Sequence, residues 1–219
     1  MQVLTMKTSV GLKVIAGAAL LALPLMASAE SSYQTGAGPL TATAHVDFQV
    51  NIPKVLYLRV GSGSAYPATL SSVATTDLVQ FSPTAAQVGN GTAIAGTGGD
   101  LAGGIETAAI ISNSGNVTLN ATTTGRLGDG TVPVPNTISF AQIATAASAL
   151  TGAYTLLNAP VLVDGATSAN IVLTAPATKT INADAKWTYS YVNTVTPPAG
   201  IYGGVNTNNG RVVYTATMP

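Results

Sequence analysis

The chain has 219 residues; 47% are apolar and only 7% are charged, with eight basic side chains against eight acidic ones, where ordinary globular domains carry roughly 25% charged residues. No run of Lys and Arg exists, which argues against nucleic acid as a partner, because phosphate binding needs clustered cations. Cysteine is absent, so stability must come from the core and the sheet ladder rather than from disulfides.

Residues 1–29 read as a signal peptide. Lys7 and Lys13 give a positive start, and Val14 to Leu25 is an apolar run too short to span a bilayer. Ala27-Ser28-Ala29 is a small-residue cleavage site that would release Glu30 as the new N-terminus. Met1 and Met6 both stand as initiators, Met6-Lys7 being the more conventional. Without residues 1–29 the chain keeps six basic and eight acidic side chains, a net charge of about −2. No second apolar run is long enough for a membrane span.

Residues 30–39 read as a flexible lead-in, with Gly36, Gly38 and Pro39 against regular structure. Leu40 to Ile52 then alternates without a break. Leu40, Ala42, Ala44, Val46, Phe48, Val50 and Ile52 are apolar, and every residue between them is polar. Period-two alternation predicts a strand with one buried and one wet face. At about 3.3 Å per residue it would span roughly 43 Å, against ~17–20 Å for an ordinary strand. Either the strand runs along two sheets of its own domain, or its first half projects and pairs with another molecule.

Pro53 interrupts, and Lys54 to Val60 resumes as a strand that Gly61 and Gly63 end. Residues 61–104 are rich in Gly, Ala, Ser and Thr, with a short strand expected over Val79 to Ser82. Gly89 to Gly104 carries seven glycines and reads as a loop; no Gly-Lys-Ser/Thr follows, so a phosphate-binding loop is rejected. Glu106 to Ser112, the turn Asn113-Ser114-Gly115-Asn116, and Val117 to Thr122 predict a hairpin. Thr137 to Ile143 fits a strand, while Ala141 to Leu150 is ambiguous between strand and a helical turn or two. Tyr154 to Leu157, Val161 to Val163 and Asn170 to Ala175 are further short strands. Ala183 to Asn193 and Arg211 to Met218 complete the set. Some nine short strands with frequent turn signals and no internal repeat predict an all-β sandwich.

Little in the chain points to catalysis. His45 and Asp47 share the polar face of the alternating run, but a metal site needs a third ligand and a hydrolase an activated Ser or Thr. No Gly-x-Ser-x-Gly exists, and a solvated face is the better reading. The carboxylates Asp77, Asp100, Glu106, Asp129, Asp164 and Asp184 are scattered without calcium-loop spacing; Asp129 and Asp164 each precede Gly, a turn signal. Paired carboxylates for sugar cleavage stay open, since such a pair can be distant in the chain. Trp187, Tyr189 and Tyr191 at spacing two read as a core face before a sugar platform. Asn90, Asn116 and Asn120 begin Asn-x-Thr patterns of the kind that arise by chance in a Thr-rich chain.

The runs TATAHVDFQVNIPKVLYLRV at 41–60, ADAKWTYSYV at 183–192, PPAGIYGG and the terminal RVVYTATMP resemble the pilins of chaperone–usher fimbriae, closest to the cysteine-free colonisation-factor-type class. The resemblance implies that an N-terminal extension inserts into the groove of the next subunit and replaces its missing strand. Leu40, Ala42, Ala44 and Val46 would then be the donor residues, and Phe48, Val50 and Ile52 would open the subunit's own first strand. It also implies a periplasmic chaperone, an outer-membrane usher and identical subunits as partners. The chain departs from that pattern in its length, mostly through residues 61–104, and in the small donor side chains Ala42 and Ala44.

The fold expected is an all-β, immunoglobulin-like antiparallel β-sandwich over residues 46–219, with an N-terminal extension, the donor strand, over residues 30–45. The function expected is a secreted, non-enzymatic structural subunit of a surface filament with no cofactor or metal. The alternative is a monomeric secreted or periplasmic sandwich that binds carbohydrate or peptide. Val46, Phe48, Val50 and Ile52, worth roughly 1.5–3 kcal/mol each when buried, are expected to belong to a core.

Overall fold

The computed structural model describes residues 31–62, 70, 72 and 74–219. The signal peptide at 1–29 and the new terminus at Glu30 lie outside the described residues. The chain divides into two units, Met1–Ile52 and Pro53–Pro219. In the first, residues 31–52 form neither strand nor helix.

The second unit is all-β. Its strands are β1 (Leu56–Val60), β2 (Val79–Gln80), β3 (Ile94–Ala95), β4 (Thr97–Gly98), β5 (Ile105–Ser112), β6 (Val117–Thr123), β7 (Leu127–Gly128), β8 (Thr137–Ile138), β9 (Ile143–Ser148), β10 (Thr155–Leu156), β11 (Ile171–Leu173), β12 (Ile181–Tyr191) and β13 (Val212–Thr217). One 3-10 turn, Phe140–Gln142, precedes β9, its Ser139 Oγ accepting the amide of Ala141. The ambiguous stretch after Ala141 is thus the end of a 3-10 turn followed by a strand. Val161–Val163, expected as a strand, is irregular.

Two sheets stack. In the first, β5 lies between β1 and β12, both antiparallel to it. The far edge of β12 carries β10 in parallel and then β9 antiparallel, while β3 extends the β5 side. In the second, β6 lies between β11 and β13. The inner faces meet through Ala108 and Ile110 of β5, Val117 and Leu119 of β6, Leu173 of β11, and Ala183, Ala185 and Trp187 of β12. The small side chains Ala108, Ala183 and Ala185 leave room for the indole of Trp187, which is wholly buried.

The hairpin expected over 106–122 is not one. Both strands form where expected, but β5 belongs to the first sheet and β6 to the second. The reason is edge occupancy: β1 and β12 already take both edges of β5. The linker bonds outward instead of across a turn. Asn113 Oδ1 accepts the amide of Val55 at 2.8 Å and its Nδ2 donates to Pro53 O at 2.8 Å. Asn116 Oδ1 accepts the amide of Ala175 at 2.9 Å. The segment therefore arches from sheet to sheet.

The glycine-rich stretch is ordered by close backbone approach. A Cβ on Gly104 would stand 2.6 Å from Gly96 Cα, so both positions must lack side chains for β3 and β4 to fold back toward β5. Buried Asn193 holds the preceding loop: its Nδ2 donates to Gln87 O at 2.7 Å and to Thr92 O at 3.1 Å, and its Oδ1 accepts the amide of Gly89 at 3.0 Å.

Candidate functional site

The alternating run Leu40–Ile52 forms no strand, contrary to expectation, and its apolar side chains face solvent. Leu40 is 50% exposed, Val46 74%, Phe48 90%, Val50 82% and Ile52 74%, and Ala42 and Ala44 are exposed as well. The core role expected for Val46, Phe48, Val50 and Ile52 is therefore overturned. Periodicity states which face a strand would bury; it does not supply the neighbouring strand or the core.

The complementary feature lies in the second unit. β1 and β13 are edge strands, and among the described residues each is hydrogen-bonded on one side only, β1 to β5 and β13 to β6. They approach within 8 Å between Cα atoms yet share no ladder. At one end Lys54 Nζ donates to Pro219 O at 3.1 Å, which joins the start of β1 to the chain end beyond β13, so the two strands run in opposite senses. Their inward side chains are only half buried: Leu58 and Val60 on β1, Tyr214 and Ala216 on β13, and Met218 just past it. Among the described residues, the margin of the sandwich thus has two strands paired on one side only and inward side chains that are partly exposed.

Trp187, Tyr189 and Tyr191 form a core face, not a sugar platform. Trp187 packs on Tyr214 at 5.3 Å between ring centroids, and the phenols of Tyr189 and Tyr214 hydrogen-bond at 2.8 Å. Burial pushes the Tyr214 phenol up to about 12, with the Tyr189 bond acting the other way. Burial, then the charge of Tyr214, also raises Tyr189.

The carboxylates are less scattered than their sequence positions suggest. Asp129 and Asp164 do serve turns. Asp129 accepts the amides of Thr131 and Asn136 and the Asn136 side chain, which hold it at about 2, below the usual carboxylate range. Asp164 accepts Ser139 Oγ and the amide of Phe140, both at 2.7 Å. Asp184 is buried and accepts Thr151 Oγ1 at 2.6 Å. Asp77, Asp100 and Glu106, by contrast, converge at the end of β1. Asp77 accepts the amide and hydroxyl of Ser62. Asp100 accepts the amide of Thr107 at 2.7 Å and pairs with Arg59 at 3.1 Å. Glu106 Oε2 accepts the amide of Asp100 at 3.3 Å. Sequence reasoning missed this cluster, although one signal was present: Glu106, Ala108 and Ile110 share a strand face that also carries the core.

His45 and Asp47 are exposed and lie outside any strand. Among the described residues no group of three or more His, Cys, Asp or Glu side chains is placed to hold a metal ion, and no helix is long and apolar enough to cross a membrane. A shallow cavity of about 280 Å³ opens beside the outer face of the second sheet, lined by Thr122, Thr124, Asn206, Asn208 and Arg211 among others. No family model, no curated protein and no solved structure matches the chain.

Proposed function

We propose that this protein is a secreted structural subunit whose copies join by strand exchange: the 40–52 segment of one copy adds to the β1–β13 margin of the next. The observation that carries the reading is a pair of complementary deficits in one chain. Among the described residues, an apolar ribbon packs on no core, and two edge strands have half-buried inward faces and no second partner. Backbone pairing on both flanks would supply affinity, and alternate side chains would fill the open face. Leu40, Ala42, Ala44 and Val46 are the donor residues first suggested by the resemblance. The exposure of Phe48, Val50 and Ile52 extends the set to bulkier side chains, each worth roughly 1.5–3 kcal/mol when buried. Such a contact is head to tail and does not close on itself, so it propagates into a filament. An immunoglobulin-like strand arrangement, a chaperone and an usher belong to this same reading.

Insertion requires movement. A strand paired on both sides needs its neighbours about 9.6 Å apart, more than the present closest approach of β1 and β13. The test is sedimentation of the full chain over a concentration series beside the Phe48→Asp/Val50→Asp variant. The expected result is linear oligomers for the wild type and a monomer with an unchanged unfolding curve for the variant. A wild type that stays monomeric at every concentration overturns the proposal.

A second reading, a monomeric binding module for carbohydrate, is favoured by the hydroxyl- and amide-lined cavity around Thr122, Asn206 and Arg211. Saturable amide shifts confined to those residues on titration with neutral or acidic oligosaccharides would support it.

A further inference from the structure

Alternation along β6 and β13 sorts their side chains onto two faces. Val117, Leu119 and Ala121 of β6 are buried, and Val212, Tyr214 and Ala216 of β13 are half-buried. The residues between them face away from the core. Val213 stands in register with Thr122, and the same ladder carried one step further sets Arg211 beside Thr124. Thr122, Thr124, Arg211 and Val213 thus form one outward patch at the end of the second sheet, and all four line the cavity of about 280 Å³. Its other wall is the loop from Asn206 to Gly210.

That wall is fixed, and fixing it uses only some of its polar groups. Thr124 Oγ1 donates to Asn209 Oδ1, and Asn209 Nδ2 donates to Arg126 O, both at 3.1 Å. Asn208 O accepts the amide of Gly128 at 2.9 Å, and the Gly210 amide donates to Thr207 O at 2.8 Å. Asn206, Asn208 and Asn209 hold φ of +52°, +47° and +60°. Glycine takes such angles at least cost, and asparagine is among the side chains that tolerate them best. Asparagine rather than glycine at all three positions keeps three side-chain amides. That of Asn209 is spent on the loop. The side chains of Asn206 and Asn208 make no hydrogen bond among the described residues.

The charge is open in the same way. Arg59 pairs with Asp100 at 3.1 Å and Arg126 with Asp164 at 3.9 Å. Arg211 has no ion pair or hydrogen bond among the described residues, and no carboxylate lines the cavity.

Amides and hydroxyls both donate and accept, as the hydroxyls of a sugar ring do. The exposed side chain of Val213 suits the C–H face of such a ring. A guanidinium presents a planar fork that matches a carboxylate. The volume lies just below the ~300–1,000 Å³ of sites that enclose a drug-sized ligand, so one ring enters and the rest of a chain stays outside. We infer that this cavity binds an acidic sugar: one pyranose ring lies on Val213, its hydroxyls meet Thr122, Asn206 and Asn208, and its carboxylate meets Arg211. An acidic peptide fits less well, because an Asp or Glu side chain would use Arg211 and leave the two amides unanswered. The assignment rests on the carbohydrate reading of the cavity and names the class of sugar. It does not depend on strand exchange, since no residue of 40–52 lines the cavity.

The experiment uses the full chain carrying Phe48→Asp and Val50→Asp, so that exchange between copies does not broaden its spectra. Amide shifts are followed on titration with trigalacturonate, with its methyl ester, which keeps the shape and removes the charge, and with triglutamate. We expect saturable shifts at Thr122, Thr124, Val213 and residues 206–211 with trigalacturonate. The ester should bind roughly tenfold or more weakly, the weight of a charge-assisted hydrogen bond. Arg211→Gln should bring acid and ester to the same affinity. Asn206→Gly, which suits the positive φ and deletes the amide, should weaken both by a similar factor. Arg211 and Asn206 are exposed, so neither variant should shift the unfolding curve; should Arg211→Gln not fold, the comparison of acid with ester decides alone. An ester that binds as tightly as the acid, or a preference for the acid that survives Arg211→Gln, overturns the inference and leaves the carbohydrate reading standing. No shift with either sugar overturns both. Triglutamate binding as tightly as trigalacturonate overturns the inference in favour of an acidic peptide.

Discussion

The indole N–H of Trp187 donates to the carbonyl oxygen of Leu157 at 2.7 Å, and both side chains are wholly buried. This bond ties the centre of β12 to the segment that leaves β10, and it supplies the one polar demand of the largest core side chain. Trp187→Phe removes the donor, strands the Leu157 carbonyl and leaves a void beside Tyr214. We expect a loss of about 2–4 kcal/mol in urea unfolding, with the slope of the transition unchanged. Trp187→Ala should cost more, near the upper range for aromatic truncation, about 3–5 kcal/mol.

Gly61 adopts φ +78° and has two carboxyl oxygens within 2.7 Å of the place its Cβ would occupy. Gly61→Ala therefore meets two penalties, backbone strain and a clash with the carboxyl oxygens of Asp77 and Glu106. A loss of about 2–3 kcal/mol is expected. Gly91, at the same φ but with open space around it, is the control: its Ala variant should lose only the strain portion, about 1 kcal/mol. Equal losses at the two sites, measured by chemical denaturation, would remove the carboxyl pair from the explanation.

Asn193 combines φ +63° with full burial and a completely used side-chain amide. Asn193→Ala would leave the carbonyls of Gln87 and Thr92 without that donor and the Gly89 amide without its acceptor. The expected loss is about 2–4 kcal/mol. Amides of residues 89–92 should lose exchange protection before the rest of the body does.

How much of this was legible beforehand divides along one physical line. Strands whose burial is decided within a few residues read correctly. The aromatic stripe of β12 and the alternation of β13 are examples, as are the turns at Asp129-Gly130 and Asp164-Gly165, where glycine takes positive φ. What failed depended on partners far away in the chain. Asn113 to Asn116 carry good turn chemistry, but the hairpin does not form because Leu56–Val60 and Ile181–Tyr191 flank β5. The run from Leu40 to Ile52 has the pattern of a strand without a ladder to join. Asp77 and Glu106 lie 29 residues apart, and only the fold brings their carboxyl groups to Gly61. The legible hint was a Glu at an inward register among Ala108 and Ile110; its partner was not inferable from spacing.

Strand exchange predicts a period in its own cross-links. The chain contains no cysteine, so single Cys substitutions stand on a clean background. Copies carrying Cys at Val46, Phe48 or Val50 are mixed with copies carrying Leu58→Cys or Ala216→Cys, both at inward positions of the open margin. Disulfides between copies should form from the even donor positions and not from Asp47 or Gln49, because successive side chains of a strand point to opposite faces. Cross-linking without that alternation, read on a denaturing gel, would mean a contact of another kind.

The acid limb of the stability curve should have a different origin from the neutral one. Asp129 accepts Thr131 N–H at 3.0 Å, Asn136 N–H at 3.0 Å and Asn136 Nδ2 at 2.8 Å, and is held at about 2. Its folded value lies below the unfolded one of 3.8, so its contribution is present above pH 3.8 and is lost as pH falls through about 2. Glu106, which burial pushes up to about 7, acts in the opposite sense, favouring the fold as pH falls from about 7 to 4.5. The contributions of these two groups are therefore both present between about pH 3.8 and 4.5. Asp129→Asn should weaken the acid limb alone, visible as early shifts of the Thr131 and Asn136 amides below pH 4, while Glu106→Gln should flatten the neutral limb alone. An Asp129→Asn profile identical to wild type below pH 4 would show that the 129–136 loop is held by its backbone and not by the carboxylate.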